Sequence, residues 1–497
     1  MTTSGFNDTE PKDRSLGASA AKGAAVTLAG QGLKFFLQFG GIVLLARLLD
    51  PTDFGLVAMV VSIVGVGEVL RDFGLSSAAI QAKNLTAQQK SNLFWINTTI
   101  GALLAIGCFA AAPLLATFFD EHRIQPIAQV LAITFLLSGI TTQFRAGLAR
   151  GMKFKKLAIA DVAAQAIGLA VAIACALNGA GYWSMVVQQV VQSAAILLLC
   201  ATFSRWLPSL PRRCDGMRAL TSFGWNLMGA QLLQYASKNM DSVLIGRQFG
   251  AEPLGFYNRA SQLVTSPLNQ INVPASSVAI PVLSRISEDK IRYDRFIIRG
   301  QLCLMSAIVA IFMFIAAHSN AVVETLLGAN WSESATFLGI LALGATFQAA
   351  SYATYWVFVS KGKTAALFRY AIISRVITVA ILFAGIPWGA TGVAVAYAAG
   401  LAVIWPLGLL WIHFVTDAPA YKMLTNGART LVIYGVSAGV GAVTTQALTL
   451  ERGLELSVGF LVMLASLALT VAVSKSYRSD IRDVIDIVRI IRKRAVK

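Results

Sequence analysis

Apolar stretches of about 20 residues recur along almost the whole chain, and they leave few folds open. Lipid offers no hydrogen bonds, so a segment crossing it must satisfy its own backbone, as an α-helix does. The sequence holds fourteen such stretches: 22–47, 54–81, 89–117, 124–147, 156–177, 181–203, 218–247, 253–284, 297–318, 331–359, 363–386, 389–413, 428–449 and 454–474. With 56% apolar and 13% charged residues, a soluble fold is excluded. The expectation is an all-α polytopic membrane protein.

Basic residues set the orientation. With the N-terminus in the cytoplasm, cytoplasmic segments hold 32 of the 41 Lys and Arg residues. Counting residues near span ends with the adjoining loop, the external side holds Arg47, Arg123, Arg247 and Arg452, and five cations count as lying inside spans: Lys34, Arg71, Lys238, Arg259 and Arg375. The bias persists through alternate loops, which fits an even number of spans and places both termini in the cytoplasm. A net charge of +17 then reflects topology and contact with anionic lipid rather than nucleic acid, since no basic soluble domain is present.

Residues 31–80 align with 231–280 without a gap, and eleven of the fifty positions are identical, among them Gln31/231, Arg47/247, Gly55/255 and Ser76/276. Such internal similarity marks a transporter built from two related halves. The expected organisation is a polar tail (1–21), a six-helix half (22–203), a Pro- and Arg-rich linker (204–217), a second six-helix half (218–413), an added helix pair (428–474) and a basic amphipathic cytoplasmic tail (475–497). An even number of spans per half gives parallel repeats, related by an axis along the membrane normal.

The repeat carries polar residues into the membrane. Gln31, Lys34, Gln38 and Gly41 share one helical face, as do Gln231, Gln234, Lys238 and Asp241. Each lysine suits an anionic ligand, or else an ion pair within the bundle; Asp241, three residues after Lys238, is one such partner. The glutamines suit sugar hydroxyls or helix–helix hydrogen bonds equally. In the second span Glu68, Arg71 and Asp72 share a face, either as an anion and proton site or as a self-neutralising patch. Arg259 reads as an interfacial anchor with substrate contact as the alternative, Arg375 is isolated, and Asp161 is expected to pair with Lys153, Lys155 and Lys156. Pro267, Pro274 and Pro281 lie in the eighth span and mark a bend or hinge. Gly55 and Gly255 follow equivalent external turns and suit a tight lead into the next helix.

The five cysteines and three histidines show no metal-site spacing and read as structural. There is no phosphate loop, nucleophile–base pair or metal cluster, so neither ATP hydrolysis nor a cofactor is expected.

The segments LLARLLDPTDFGLVAMV (44–60), FGLSSAAIQ (73–81), MKFKKLAIADV (152–162), GAGYWSMVVQQ (179–189) and NMDSVLIGRQFGAEPLGFYNRASQL (239–263) resemble the bacterial polysaccharide transporter family, including Wzx-type flippases and exopolysaccharide exporters. The resemblance implies two six-helix bundles in a V around a central cavity, a fold shared with multidrug and toxin extruders. It implies, as substrate, an oligosaccharide repeat unit on undecaprenyl diphosphate, flipped across the inner membrane for exopolysaccharide or lipopolysaccharide O-antigen synthesis. Polysaccharide polymerase and chain-length regulator are the partners it suggests. It assigns substrate contact to Lys34, Arg71, Lys238 and Arg259, joined by Gln31, Gln38, Gln231 and Gln234. The intramembrane acids Glu68, Asp72 and Asp241 are candidates for ion coupling. A cation-coupled drug antiporter on the same fold is the rival, but its site should be net acidic, whereas this repeat carries lysine. A membrane polymerase or ligase would be expected to have a long periplasmic loop, and the external loops here are short.

Overall fold

The computed structural model describes residues 29–72, 86–212, 235, 239–448 and 450–482; the side chains of Val69, Arg71 and Asp72 are not among those described. Among the described residues every long element is a helix, and eleven stretches are long and apolar enough to cross a membrane. One of these, Thr364–Val415, contains two helices separated by the short turn Ile386–Trp388. The chain divides into two compact units, Met1–Asn239 and Met240–Lys497. That division falls within the expected seventh span rather than in the 204–217 linker.

The first unit contains α1 (Ala29–Ala46), α2 (Pro51–Asp72), α3 (Ala87–Phe119), α4 (Ile124–Arg150), α5 (Phe154–Leu177) and α6 (Trp183–Ser204). Thr86 opens α3 with a reciprocal capping box with Gln89, satisfying donors at the helix start. α3 and α4 cross where neither has a side chain. A Cβ on Gly101 would lie 2.6 Å from the Phe135 carbonyl oxygen, and one on Gly139 would lie 2.6 Å from the Asn97 carbonyl oxygen. Small residues thus let two membrane helices approach backbone to backbone.

The start of the linker is docked onto the first unit. Trp95 Nε1 donates to the Ser209 carbonyl at 2.9 Å, and Gln88 Nε2 donates to that of Leu210 at 3.1 Å. Asn92 Nδ2 donates to the Arg212 carbonyl at 2.6 Å and its Oδ1 accepts from the Arg212 N–H at 3.1 Å. Trp206 packs edge-on to Phe94 and Phe144, and Lys90 Nζ lies 3.8 Å from its ring centroid. Trp206→Ala should therefore release this segment at a cost of about 2 kcal/mol, from lost aromatic and cation–π contacts. Faster amide exchange across 207–212, with little change in the cores of α3 and α4, is the expected readout.

The second unit contains α7 (Met240–Phe249), α8 (Ala251–Arg285), α9 (Lys290–Ala317), α10 (Ser319–Leu326), α11 (Ser334–Ser360), α12 (Thr364–Gly385), α13 (Gly389–Val415), α14 (Ala420–Ala447) and α15 (Arg452–Val473). α2 and α8 begin at positions equivalent in the repeat, Pro51 and Ala251. The residue before α8 with a left-handed φ is Gly250 (+88°), not Gly255, which lies buried in the first turns of the helix. α8 runs unbroken through all three prolines, and Ser277 Oγ donates to the Pro274 carbonyl at 2.7 Å.

The last helix pair is fastened to the unit. α14 packs on α9 and α15, and α15 also contacts α10. His318, at the end of α9, is fully buried beside Glu455 of α15, with Nδ1 3.4 Å from the carboxylate. Arg452 binds both Glu324 of α10, at 2.8 Å, and Glu455, at 3.3 Å. His318 is therefore a structural histidine, as read from the sequence, and the four described cysteines are free thiols. Beyond α15, residues 475–482 are helical; buried Tyr477 meets Tyr434, and Asp480 pairs with Arg429 of α14 at 2.5 Å. The remainder of the expected amphipathic tail lies outside the described residues.

Asp417, in the turn between α13 and α14, pairs with Lys361 at 2.9 Å and lies 3.8 Å from Lys290. The hydrogen bond from Lys361 holds its carboxyl below the usual carboxylate range. A depressed carboxylate pKa stabilises the fold above its unfolded value, about 4, and that contribution is lost as pH falls through the folded value. Because Asp417 is half exposed, the effect is expected to be under about 1 kcal/mol. Protection of the amides at 416–418 and 420, corrected for the intrinsic pH dependence of exchange, should fall on going from pH 6 to pH 3.5, and Asp417→Asn should flatten that dependence.

Candidate functional site

α1 owes its position to glycine. A Cβ on Gly30 would lie 2.8 Å from Ala158 Cβ, and one on Gly41 would lie 3.0 Å from Leu169 Cδ1, so α1 lies tightly against α5. Gly41 therefore belongs to the packing face rather than to an open polar stripe. Gln31 and Gln38 are exposed, while Lys34, between the two contact points, is half-buried. No hydrogen bond or ion pair engages Lys34 among the described residues. Its expected counterparts Gln231, Gln234 and Lys238 lie outside the described residues.

In α2, Glu68 is exposed. Two turns earlier, the Tyr235 hydroxyl donates to the Val61 carbonyl at 3.0 Å, and a Cβ on Gly65 would fall 1.8 Å from that hydroxyl. Gly65 thus provides the notch that seats Tyr235. The side chains of Arg71 and Asp72 lie outside the described residues, so their shared face with Glu68 stands on helical spacing alone.

Asp241 is buried in the first turn of α7. Its carboxylate accepts from the Tyr257 hydroxyl of α8 and from the Ser242 N–H at 2.8 Å. Arg259, the residue after Asn258 in α8, is only 5% exposed. Its guanidinium donates to Gln262 Oε1 at 2.8 Å, and Gln262 donates to Asn258 Oδ1 at 2.7 Å. Burial overturns the interfacial-anchor reading, because a snorkelling arginine keeps its charged head in water. Arg375 in α12 is half-buried.

One intramembrane charge pair escaped the sequence reading. Arg145 lies within α4, five residues before its end, and grips Asp161 of α5 at 2.5 and 3.2 Å. Asp161 does not pair with Lys153, Lys155 or Lys156. Those lysines sit at the start of α5, and Lys156 Nζ instead donates to the Phe203 carbonyl at 3.3 Å. One turn beyond Asp161, Gln165 Oε1 accepts from Gln192 Nε2 of α6 at 2.8 Å. In the sequence Arg145 lies two residues from the end of the 124–147 span and groups with the cytoplasmic cations. An acid at matching depth in the next span was the signal that would have found it.

This first-unit arrangement, cations and amides held inside membrane helices, belongs to a polytopic transporter. Residues 44–336 match the model of the polysaccharide biosynthesis protein family, and the chain belongs to that family. It is 27% identical over 407 residues to the teichuronic acid biosynthesis protein TuaB of Bacillus subtilis, covering 79% of this chain and 83% of that one. It is 24% identical over 469 residues to the succinoglycan biosynthesis transport protein ExoT of Rhizobium meliloti, covering 93% and 94%. Its fold is that of the lipid II flippase MurJ in an inward closed conformation, with a TM-score of 0.71 at 14% identity, covering 90% of this chain and 99% of that one.

Proposed function

We propose that this protein is a flippase, not an enzyme. It moves oligosaccharide repeat units carried on undecaprenyl diphosphate across the bacterial inner membrane, for exopolysaccharide or O-antigen synthesis. The observation that carries this reading is Lys34: a half-buried cation in a membrane helix, with no partner among the described residues, in a chain of a polysaccharide biosynthesis family. A diphosphate cannot cross hydrocarbon unaided, and a cation at bilayer depth lowers that barrier. Too many cations would trap the product, since transport needs release as well as binding.

The proposal includes fourteen spans, two six-helix bundles in a V around a central cavity, and an added pair of helices. It includes cytoplasmic termini, and alternating access as the cycle. Arg71, Lys238 and Arg259 join Lys34 as substrate contacts, with Gln31, Gln38, Gln231 and Gln234 for the glycan. Glu68, Asp72 and Asp241 are the candidates for proton coupling; collapsing the proton gradient in vesicles should slow transport several-fold, and unchanged transport would remove them from that role. The polysaccharide polymerase and chain-length regulator are the proposed partners. Deleting the gene in a polymer-producing host should abolish surface polymer and accumulate lipid-linked repeat units on the cytoplasmic leaflet. Normal polymer export in the deletion strain would refute the reading.

A further inference from the structure

Two cations of the first unit lie near one level of α5: Arg145 bonds its Asp161, and the register of α1 sets Lys34 beside the same turn. The contacts Gly30–Ala158 and Gly41–Leu169 are eleven residues apart on both helices, so α1 and α5 run parallel in fixed register. Lys34, four residues after Gly30, is therefore level with Val162, between Asp161 and Gln165. Ala158, Asp161, Gln165 and Leu169 recur at helical spacing on α5 and form the face that α1 covers. Arg145 reaches Asp161 from α4.

The pair is open as well as bonded: the Arg145 and Asp161 side chains keep 38% and 25% of their exposure. A guanidinium has five N–H donors; two nitrogens bond Asp161 and the Cys200 sulfur also lies against Arg145, which still leaves donors for a second anion. Arg145 lies five residues from the end of α4 and Asp161 seven from the start of α5, which places them roughly 7–10 Å inside the helix ends. With Lys34 the cluster carries one net positive charge. It can attract a multiply charged anion, while its own carboxylate keeps two cations tolerable when the site is empty.

We infer that Lys34 and Arg145 form a binding site for the diphosphate of a polyprenyl-linked ligand. Asp161 is the positioning residue that aims the Arg145 fork, and the Gln165–Gln192 pair braces the α5 face behind it. The inference rests on the flippase reading and adds Arg145, Asp161 and Gln165 to it.

The test uses the full chain in detergent, titrated with geranylgeranyl diphosphate, geranylgeranyl monophosphate and phosphatidylglycerol, with melting temperature measured alongside. Wild type should prefer the diphosphate over both other lipids. Arg145→Gln should weaken diphosphate binding about tenfold or more, the scale of a charge-assisted hydrogen bond, and the monophosphate much less. Arg145→Lys should recover only part of this, because the fork is lost. Asp161→Asn, which leaves the fork unaimed, should lower the preference for diphosphate over monophosphate several-fold while monophosphate binding is retained; unchanged selectivity would remove Asp161 from that role. If Arg145→Gln lowers the melting temperature but leaves diphosphate selectivity intact, the pair is a helix clasp and the inference falls, with the flippase reading untouched. If wild type shows no preference for the diphosphate over phosphatidylglycerol, the flippase reading falls with it.

Discussion

Lys34→Ala is expected to reduce transport of lipid-linked oligosaccharide by ten- to a hundredfold while leaving the fold intact. The magnitude follows from losing one charge-assisted contact to a desolvated phosphate, about 1.5–3 kcal/mol. The intact fold follows from the surroundings. Lys34 is half-buried and makes no hydrogen bond or ion pair among the described residues, so its removal strands no buried partner. Anchoring of α1 depends instead on Gly30 and Gly41 against α5. Lys34→Arg should retain most activity, since charge is what the site supplies. Flux per protein, compared at equal membrane insertion, measures this; equal flux in wild type and Lys34→Ala would remove Lys34 from the substrate path.

The second large effect is structural. Gly101→Leu should prevent α3 and α4 from seating and cost about 3 kcal/mol or more, at or beyond the top of the usual range for overpacking. The obstruction at Gly101 is the Phe135 carbonyl at 2.6 Å, with the Gly139 Cα at 3.3 Å, and backbone cannot swing aside as a side chain can. Separating the helices would also disturb Asn97 and Gln143, buried at the same interface. The control lies in the same helix. A Cβ on Gly107 meets nothing within 4 Å, so Gly107→Ala should be neutral or slightly stabilising. Yield of monodisperse protein and melting temperature in detergent separate the two variants.

Much of this architecture is legible in the sequence because lipid imposes one simple rule on the backbone. Apolar length alone anticipates α4, α5 and α6 to within a few residues, and the 200-residue repeat anticipates the matched starts of α2 and α8. The exceptions have physical causes. Gly41 shares a helical face with Lys34, but spacing cannot show that Leu169 fills the space beside it. Arg259 looks interfacial from its distance to a helix end, yet Gln262 and the surrounding helices bury it. Asp161 has three lysines close in sequence and pairs with an arginine sixteen residues away, because the α4–α5 turn brings their faces together. A linker rich in proline and arginine reads as a free connection, whereas the carbonyls of Ser209, Leu210 and Arg212 find donors along α3. In most of these cases the deciding contact comes from another helix, and that information is absent from periodicity.

The most direct measurement is leaflet translocation of labelled undecaprenyl-diphosphate oligosaccharide in proteoliposomes containing the purified protein. The account predicts rapid loss of label from one leaflet with wild type, slow loss with Lys34→Ala, and background loss in protein-free liposomes. Translocation by wild type no faster than in empty liposomes, with a cognate lipid and correctly inserted protein, would contradict it.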